Sequence, residues 1–336
     1  MEHNMNDDEH PVSVDFPELF HYTNLSAFKK IYESKKFRAT HYQDLNDTTE
    51  FTRFRHIVEK FIHPMIRERF KEKMKCNNEI STDVHKQGGI DTVIKKEAKW
   101  LIDLVHSHNF NENMYKETFV CSFCAHTQPY ESTHGLLSQW RGYGANGGVA
   151  IVLKTSDIEK RMRYDYDKIS QLQLMYVATV DYDSPDNDKI MKKFKKVFAS
   201  FPEIIKIAYP DDESFKQKEM DLLFEEMHDH FVLGSTLVKH QAFHEENEIR
   251  IVVSPKTNYS YNRYDPNDSK EKKEIRYRQV GNREARYIEL FGDDSLPINR
   301  IIIGPSRIQN ANYQTVRDII KNQNIEVIKS EIPFIS

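Results

Sequence analysis

The stretch Lys239-His240-Gln241-Ala242-Phe243-His244-Glu245-Glu246-Asn247-Glu248-Ile249-Arg250-Ile251-Val252-Val253 carries the clearest pattern in the chain. From Glu246 onward it alternates. Ile249, Ile251 and Val253 point one way, and Glu246, Glu248 and Arg250 the other, as a strand with a period of two requires. Two carboxylates and a guanidinium on one face either brace one another as ion pairs or poise a carboxylate for chemistry.

Outward from this strand, β-branched and aromatic runs predict others at Thr118–Cys124, Val149–Leu153, Leu174–Tyr182, Arg286–Leu290, Ile298–Ile303 and 325–329. Shorter extended pieces precede them at Phe16–Tyr22 and 36–41. Helical spacing marks 24–32, with Asn24 or Ser26 as cap, then a long run from Phe51 to Phe70, then 93–105, 186–207, 212–239 and 311–322. Pro64 predicts a kink or break in the long run, and polar 77–89 reads as a loop. The expected fold is α+β. A mixed sheet of about six to eight strands carries long helical insertions at about 47–108 and 186–240. Residues 1–15 read as a flexible tail and 16–336 as one elaborated α/β-type domain, with weak linker candidates at 77–90, 182–187 and 255–275.

Composition narrows the class. The chain has 336 residues, 30% charged and 38% hydrophobic, too apolar for disorder. Lys and Arg total 48 against 52 Asp and Glu, which excludes a globally basic nucleic-acid binder. Three cysteines make no disulfide framework. No apolar run reaches the ~20 residues that span a bilayer, and the polar start is no signal peptide. A cytoplasmic protein without membrane partners is the expectation.

Other constellations could carry chemistry. His21-Tyr22-Thr23 lies at a strand end before a helix start, where free N–H groups favour anions. Asn46-Asp47 and Glu50 have capping-box spacing, with Asp47 as cap, and could also face a cleft. Cys121 and Cys124 flank Ser122-Phe123, but a strand puts the two thiols on opposite faces, so no metal site is expected. Four glycines crowd Gly142–Gly148 beside Trp140 and Tyr143; the aromatics could stack on a flat ring or lid the core. Residues 271–286 hold six basic and three acidic side chains around Tyr277, which fits a charged loop, an edge strand or a surface for nucleic acid.

In this order, His21-Tyr22-Thr23, Asn46-Asp47 with Glu50, Ser122-Phe123, Trp140 with Tyr143-Gly144, Lys239, Phe243, Glu246, Glu248, Arg250 and Ile301-Ile302-Ile303-Gly304-Pro305 resemble the bacterial domain-of-unknown-function family 2971. More distantly, His21, then Ser122 or Tyr143, then Glu246-x-Glu248 is similar to ADP-ribosyltransferase-like toxins. Arg250 beside Glu248 departs from that scheme. The second resemblance implies a split sheet and NAD as a nucleotide-type substrate. Catalytic roles would fall to Glu248, Glu246 and His21. Tyr22, Thr23, Ser122, Trp140, Tyr143 and Arg250 would bind the cofactor, and Asn46, Asp47 and Glu50 would shape the cleft. Glu248 would stabilise charge at the anomeric carbon, and Glu246 would position or deprotonate a protein or nucleic-acid acceptor. A toxin or anti-phage effector role, with an antitoxin or defence-system partner, fits the bacterial family. Two other readings stay open: a non-catalytic nucleotide or ligand sensor, and a metal-dependent nuclease or phosphoesterase using Asp47, Glu50, Glu246 and Glu248.

Overall fold

The computed structural model describes residues 11–45, 50–111, 116–144, 147–211, 216–256, 269–291, 295–321 and 323–333. Twelve strands lie within them: β1 (Glu18–Thr23), β2 (Phe37–His41), β3 (Phe119–Cys124), β4 (Val149–Lys154), β5 (Leu172–Thr179), β6 (Asp181–Tyr182), β7 (Val238–Lys239), β8 (Glu248–Pro255), β9 (Arg276–Val280), β10 (Arg283–Leu290), β11 (Ile298–Ile303) and β12 (Glu326–Lys329). Eight form a continuous path in the order β12-β11-β4-β1-β3-β2-β10-β9, while β8 and β5 branch from β3. The pairs are antiparallel except β11 with β12. Strands β6 and β7 make a separate parallel pair. The fold is mixed α+β, as expected, and the branch lengthens the sheet beyond the eight-strand path.

The branch matters most. One edge of β3 pairs along its whole length with β8, from Phe119–Val253 to Cys124–Glu248. The other edge is shared. Strand β1 meets it only at Phe20–Cys124, and β2 only at Thr40–Val120 and His41–Phe119. Between those contacts β1 and β2 diverge over the middle of β3. The helix Leu25–Ser34, capped by Asn24 Oδ1 on Ala27 N at 2.9 Å, connects them.

Strand alternation divides the core into layers. Leu19, Phe37, Ala39, Cys121, Phe123, Ile249, Ile251 and Ile301 belong to one apolar layer with Phe28, Ile158 and Val316 from three helices. On the other side, Val252 and Leu174 meet the helical insertions through Phe54, Ile62, Leu101, Phe201, Phe231 and their neighbours. A smaller cluster gathers Phe20, Tyr22, Cys124 and Trp140. Cys121 and Cys124 thus occupy different layers, as the strand period requires.

Several expectations need correction. The helix Glu50–Cys76 runs on through Pro64; its buried Phe54, Ile57, Val58, Ile62 and Ile66 hold both halves against one core. Residues Asn78–Lys86 form a helix, not a loop. Asn77 caps it by accepting from Glu79 N and Ile80 N, and Val84 anchors it. The glycine-rich stretch begins as the helix Leu137–Tyr143. Within the expected tail, Val12–Asp15 is helical with Val12 buried. Most of the 255–275 linker and residues 1–10 lie outside the described residues. Among the described residues no helix is long and apolar enough to cross a membrane.

Candidate functional site

Strand β8 does not begin at Glu246. Gln241–Glu246 is a 3-10 turn that ends at Asn247 with a φ of +42°. Asn tolerates this left-handed conformation better than most residues. Asn247 Nδ2 donates to Ala125 O at 3.0 Å, and Ala125 N donates to Asn247 O at 3.0 Å. The turn is thereby fixed to the end of β3, and Glu246 reaches the site from the turn, not from the strand face.

Glu248 follows, 5% exposed. Its Oε1 accepts from Arg250 Nε at 2.8 Å, and its Oε2 accepts from Arg250 Nη2 at 3.0 Å. Lys239 Nζ donates to the same Oε2 at 3.1 Å and to Glu246 Oε2 at 2.6 Å. The ammonium also lies 4.6 Å from the Phe243 ring centre. Arg250 Nη1 donates to Thr236 O at 2.6 Å, and Glu248 N donates to Tyr182 Oη at 3.0 Å. Burial pushes the Glu248 carboxyl upward. The charges of Arg250 and Lys239, with hydrogen bonds from Arg250 and Ser122, outweigh it and bring the pKa down to about 2. Among the described residues Lys239 and Arg250 pair with Glu246 and Glu248 in one network.

His21 sits where β1 and β2 part. Its ring packs edge-on to Phe37 at 5.1 Å and tilted to Phe123 at 5.6 Å. Nδ1 lies 3.3 Å from Ser122 O. A carbonyl only accepts, so this bond requires the proton on Nδ1 and leaves a lone pair on Nε2. Burial lowers the pKa to about 4, so the ring is neutral near pH 7.

Both groups face one cleft of about 870 Å³, within the roughly 300–1,000 Å³ common for small-molecule sites. Of the residues expected from sequence, His21, Tyr22, Thr23, Ser122, Tyr143, Glu246, Glu248 and Arg250 line it. They come from β1, β3, the helix Leu137–Tyr143, the 3-10 turn and β8. Tyr143, half exposed, stands at the mouth. Tyr22 is 6% exposed and has both hydroxyl functions in use: Leu136 N donates to it at 2.9 Å, and it meets His126 Nε2 at 2.6 Å.

Trp140 must be moved out of the set. It is 1% exposed, donates from Nε1 to His134 O at 3.0 Å and packs edge-on to Tyr22. No ring face remains for a ligand. The backbone of Gly304 packs against it so tightly that a Cβ there would come within 2.8 Å of the indole. Asn46 and Asp47 lie outside the described residues, and Glu50 opens its helix without a described side chain. Leu45, just before them, lines the cleft.

Sequence reasoning quoted Lys239 but gave it no place in the site, because nothing local shows that a two-residue strand nine positions upstream returns to Glu248. It also missed Lys36, Arg38 and Arg278, which line the same cleft. Among the described residues no group of three or more His, Cys, Asp or Glu side chains is arranged to hold a metal ion.

The chemistry this supports is electrostatic. A carboxylate held at about 2 is no general acid at neutral pH and only a weak base. It is an ionised carboxylate, held by Arg250 and Lys239, at the wall of a cleft that His21 and Ser122 also line.

Residues 139–251, about a third of the chain, match the model of DUF2971, a protein family of unknown function. The segment holds Tyr143, Lys239, Phe243, Glu246, Glu248 and Arg250; His21 and Ser122 lie before it. No curated protein and no solved structure matches the chain.

Proposed function

We propose that the cleft binds NAD and that the protein is an ADP-ribosyltransferase-like enzyme. The observation that carries this reading is the convergence of His21, Ser122 and Glu248 from β1, β3 and β8 on one cleft. The divergence of β1 and β2 over β3 makes that cleft and is the feature that a split transferase sheet would need. The His21 Nε2 lone pair accepts a ribose hydroxyl. Tyr143 covers the nicotinamide at the mouth. The fixed charge of Glu248 stabilises the cation that develops at the anomeric carbon as the C–N bond breaks and nicotinamide leaves with the electron pair. Glu246 orients the acceptor, whose nucleophile then attacks that carbon and gives up its proton. A transferase of this kind acting on a cell component fits a bacterial toxin or anti-phage effector.

One observation favours a second reading, a non-catalytic nucleotide sensor. Both Glu248 oxygens already accept from Arg250 and Lys239, which is how a structural ion network is built.

Incubation with labelled NAD and cell lysate decides between them, with His21→Asn and Glu246→Gln beside the parent protein. Nicotinamide release or label transfer that drops by about a hundredfold or more in His21→Asn supports the enzyme. Saturable NAD binding without turnover supports the sensor. Neither binding nor turnover by the folded parent protein refutes both.

A further inference from the structure

The cleft wall on β2 and β9 holds an arrangement that the reading above leaves unused. Six cationic side chains line the cleft against four carboxylates, although the whole chain has a net charge of −4. The carboxylates are engaged elsewhere. Glu248 and Glu246 hold Arg250 and Lys239. Glu289 accepts from Lys36 at 3.1 Å and from Arg276 at 3.0 Å. Glu33 pairs with Lys29 on its own helix.

Arg38 and Arg278 differ from Arg250, the third arginine that lines the cleft. Among the described residues neither forms an ion pair with a carboxylate. Arg38 is exposed on β2, with its guanidinium 4.5 Å from the centre of the Tyr287 ring. Stacking of that kind fixes the plane and leaves the N–H edges pointing outward. Arg278 is half-buried on β9, and its Nη2 donates to Thr40 Oγ1 at 3.0 Å. Its Nε is buried and meets no acceptor among the described residues. The pairings Thr40–Tyr287 and Thr40–Val120 put Arg38, Thr40 and Arg278 on the same sheet face as Ser122 and Arg250. Strand β2 lies two strand spacings from β8, roughly 10 Å.

We infer that Arg38 and Arg278, with the Thr40 hydroxyl, form a phosphate subsite for the diphosphate of a nucleotide lying along this face. Two guanidinium forks present the planar donor edges that match phosphate oxygens. Burial and the charge of Arg38 both lower the Arg278 pKa, a mutual repulsion that a bound dianion would reverse. His21 and Glu248 line the same cleft as this pair of arginines, so a diphosphate held here keeps the adjoining ribose within it. The inference rests on the nucleotide reading of the same cleft, and inorganic pyrophosphate separates the two.

The test is isothermal titration of the full chain with ADP-ribose, adenosine and metal-free inorganic pyrophosphate. The variants are Arg38→Gln, which changes an exposed side chain, and Arg278→Gln. Loss of one charge-assisted phosphate contact should weaken ADP-ribose binding about ten- to a hundredfold. Adenosine affinity should stay the same, and the salt dependence of ADP-ribose binding should become shallower. Pyrophosphate binding that is lost in Arg38→Gln, with no nucleotide binding by the parent protein, would keep the subsite and remove the nucleotide reading. ADP-ribose affinity unchanged in folded Arg38→Gln would overturn the subsite. So would equal weakening of adenosine and ADP-ribose, or a parent protein that binds neither pyrophosphate nor nucleotide.

Discussion

Glu248→Gln is the substitution a transferase mechanism invites, and the structure predicts that it costs stability as well as any activity. The carboxylate is buried and accepts from Arg250 Nε, Arg250 Nη2 and Lys239 Nζ at 2.8–3.1 Å. A neutral amide removes the carboxylate that accepts from both Arg250 and Lys239. Removal of one partner from a buried ion pair costs about 3–5 kcal/mol. Linkage gives a second figure. A carboxyl whose pKa falls from 4.5 to about 2 on folding contributes about 3 kcal/mol at neutral pH, at 1.36 kcal/mol per unit. That contribution is complete above the unfolded pKa near 4.5 and disappears as the pH falls towards 2. Urea unfolding at pH 7 followed by circular dichroism should therefore show a loss of about 3–5 kcal/mol for Glu248→Gln. The difference between parent and variant should shrink between pH 4.5 and pH 2. Adding Arg250→Leu to the variant should cost less than the sum of the single changes, because the stranded charge goes with it. A loss below about 1 kcal/mol at pH 7, the range of exposed pairs, would refute the reading of Glu248 as the centre of a coupled buried ion network.

The same structure sets three further outcomes. Burial lowers the pKa of His21, His41, His106 and His126 to about 4. The unfolded chain therefore takes up protons between pH 6.5 and 4 that the folded chain refuses, and the Tm should fall across that window; a Tm that is flat from pH 7 to 5 would contradict it. Gly234→Ala should lower stability by about 1–2 kcal/mol despite its better helix propensity, because its Cβ would come 2.5 Å from the Phe54 ring; a raised Tm would show that the ring can yield. Cys76 is exposed, whereas Cys121 and Cys124 are buried, and burial raises their thiol pKa values, to about 12 for Cys121. A thiol reagent at pH 8 should modify one of three cysteines in the folded chain and all three in denaturant; fast modification of two would mean that the edge of β3 is open.

The sequence by itself determined most of the strands and long helices and the faces they bury. Alternation over Ile249–Val253 and Phe119–Cys124 sends alternate residues into one apolar layer, and a period of two holds wherever a strand forms. Helical spacing likewise marked 93–105, within the helix Ile90–His106, and the run from Phe51 to Phe70. It also singled out eight side chains that line the cleft, some because a polar group in an apolar strand stands out in a one-dimensional pattern and others through the ordered motifs of the resemblance. What it left undetermined is pairing. That β3 gives one edge to β8 and shares the other between β1 and β2 depends on contacts between segments as far apart as Phe119 and Val253, and no local period encodes them. The placement of Lys239 beside Glu248, of Glu246 on a turn ended by Asn247, and of Arg278 against Thr40 follows from that pairing. Trp140 shows the limit most plainly. A glycine-flanked tryptophan reads equally well as a ligand platform or as core, and only the packing of Gly135, Gly144 and Gly304 against its ring decided for the core.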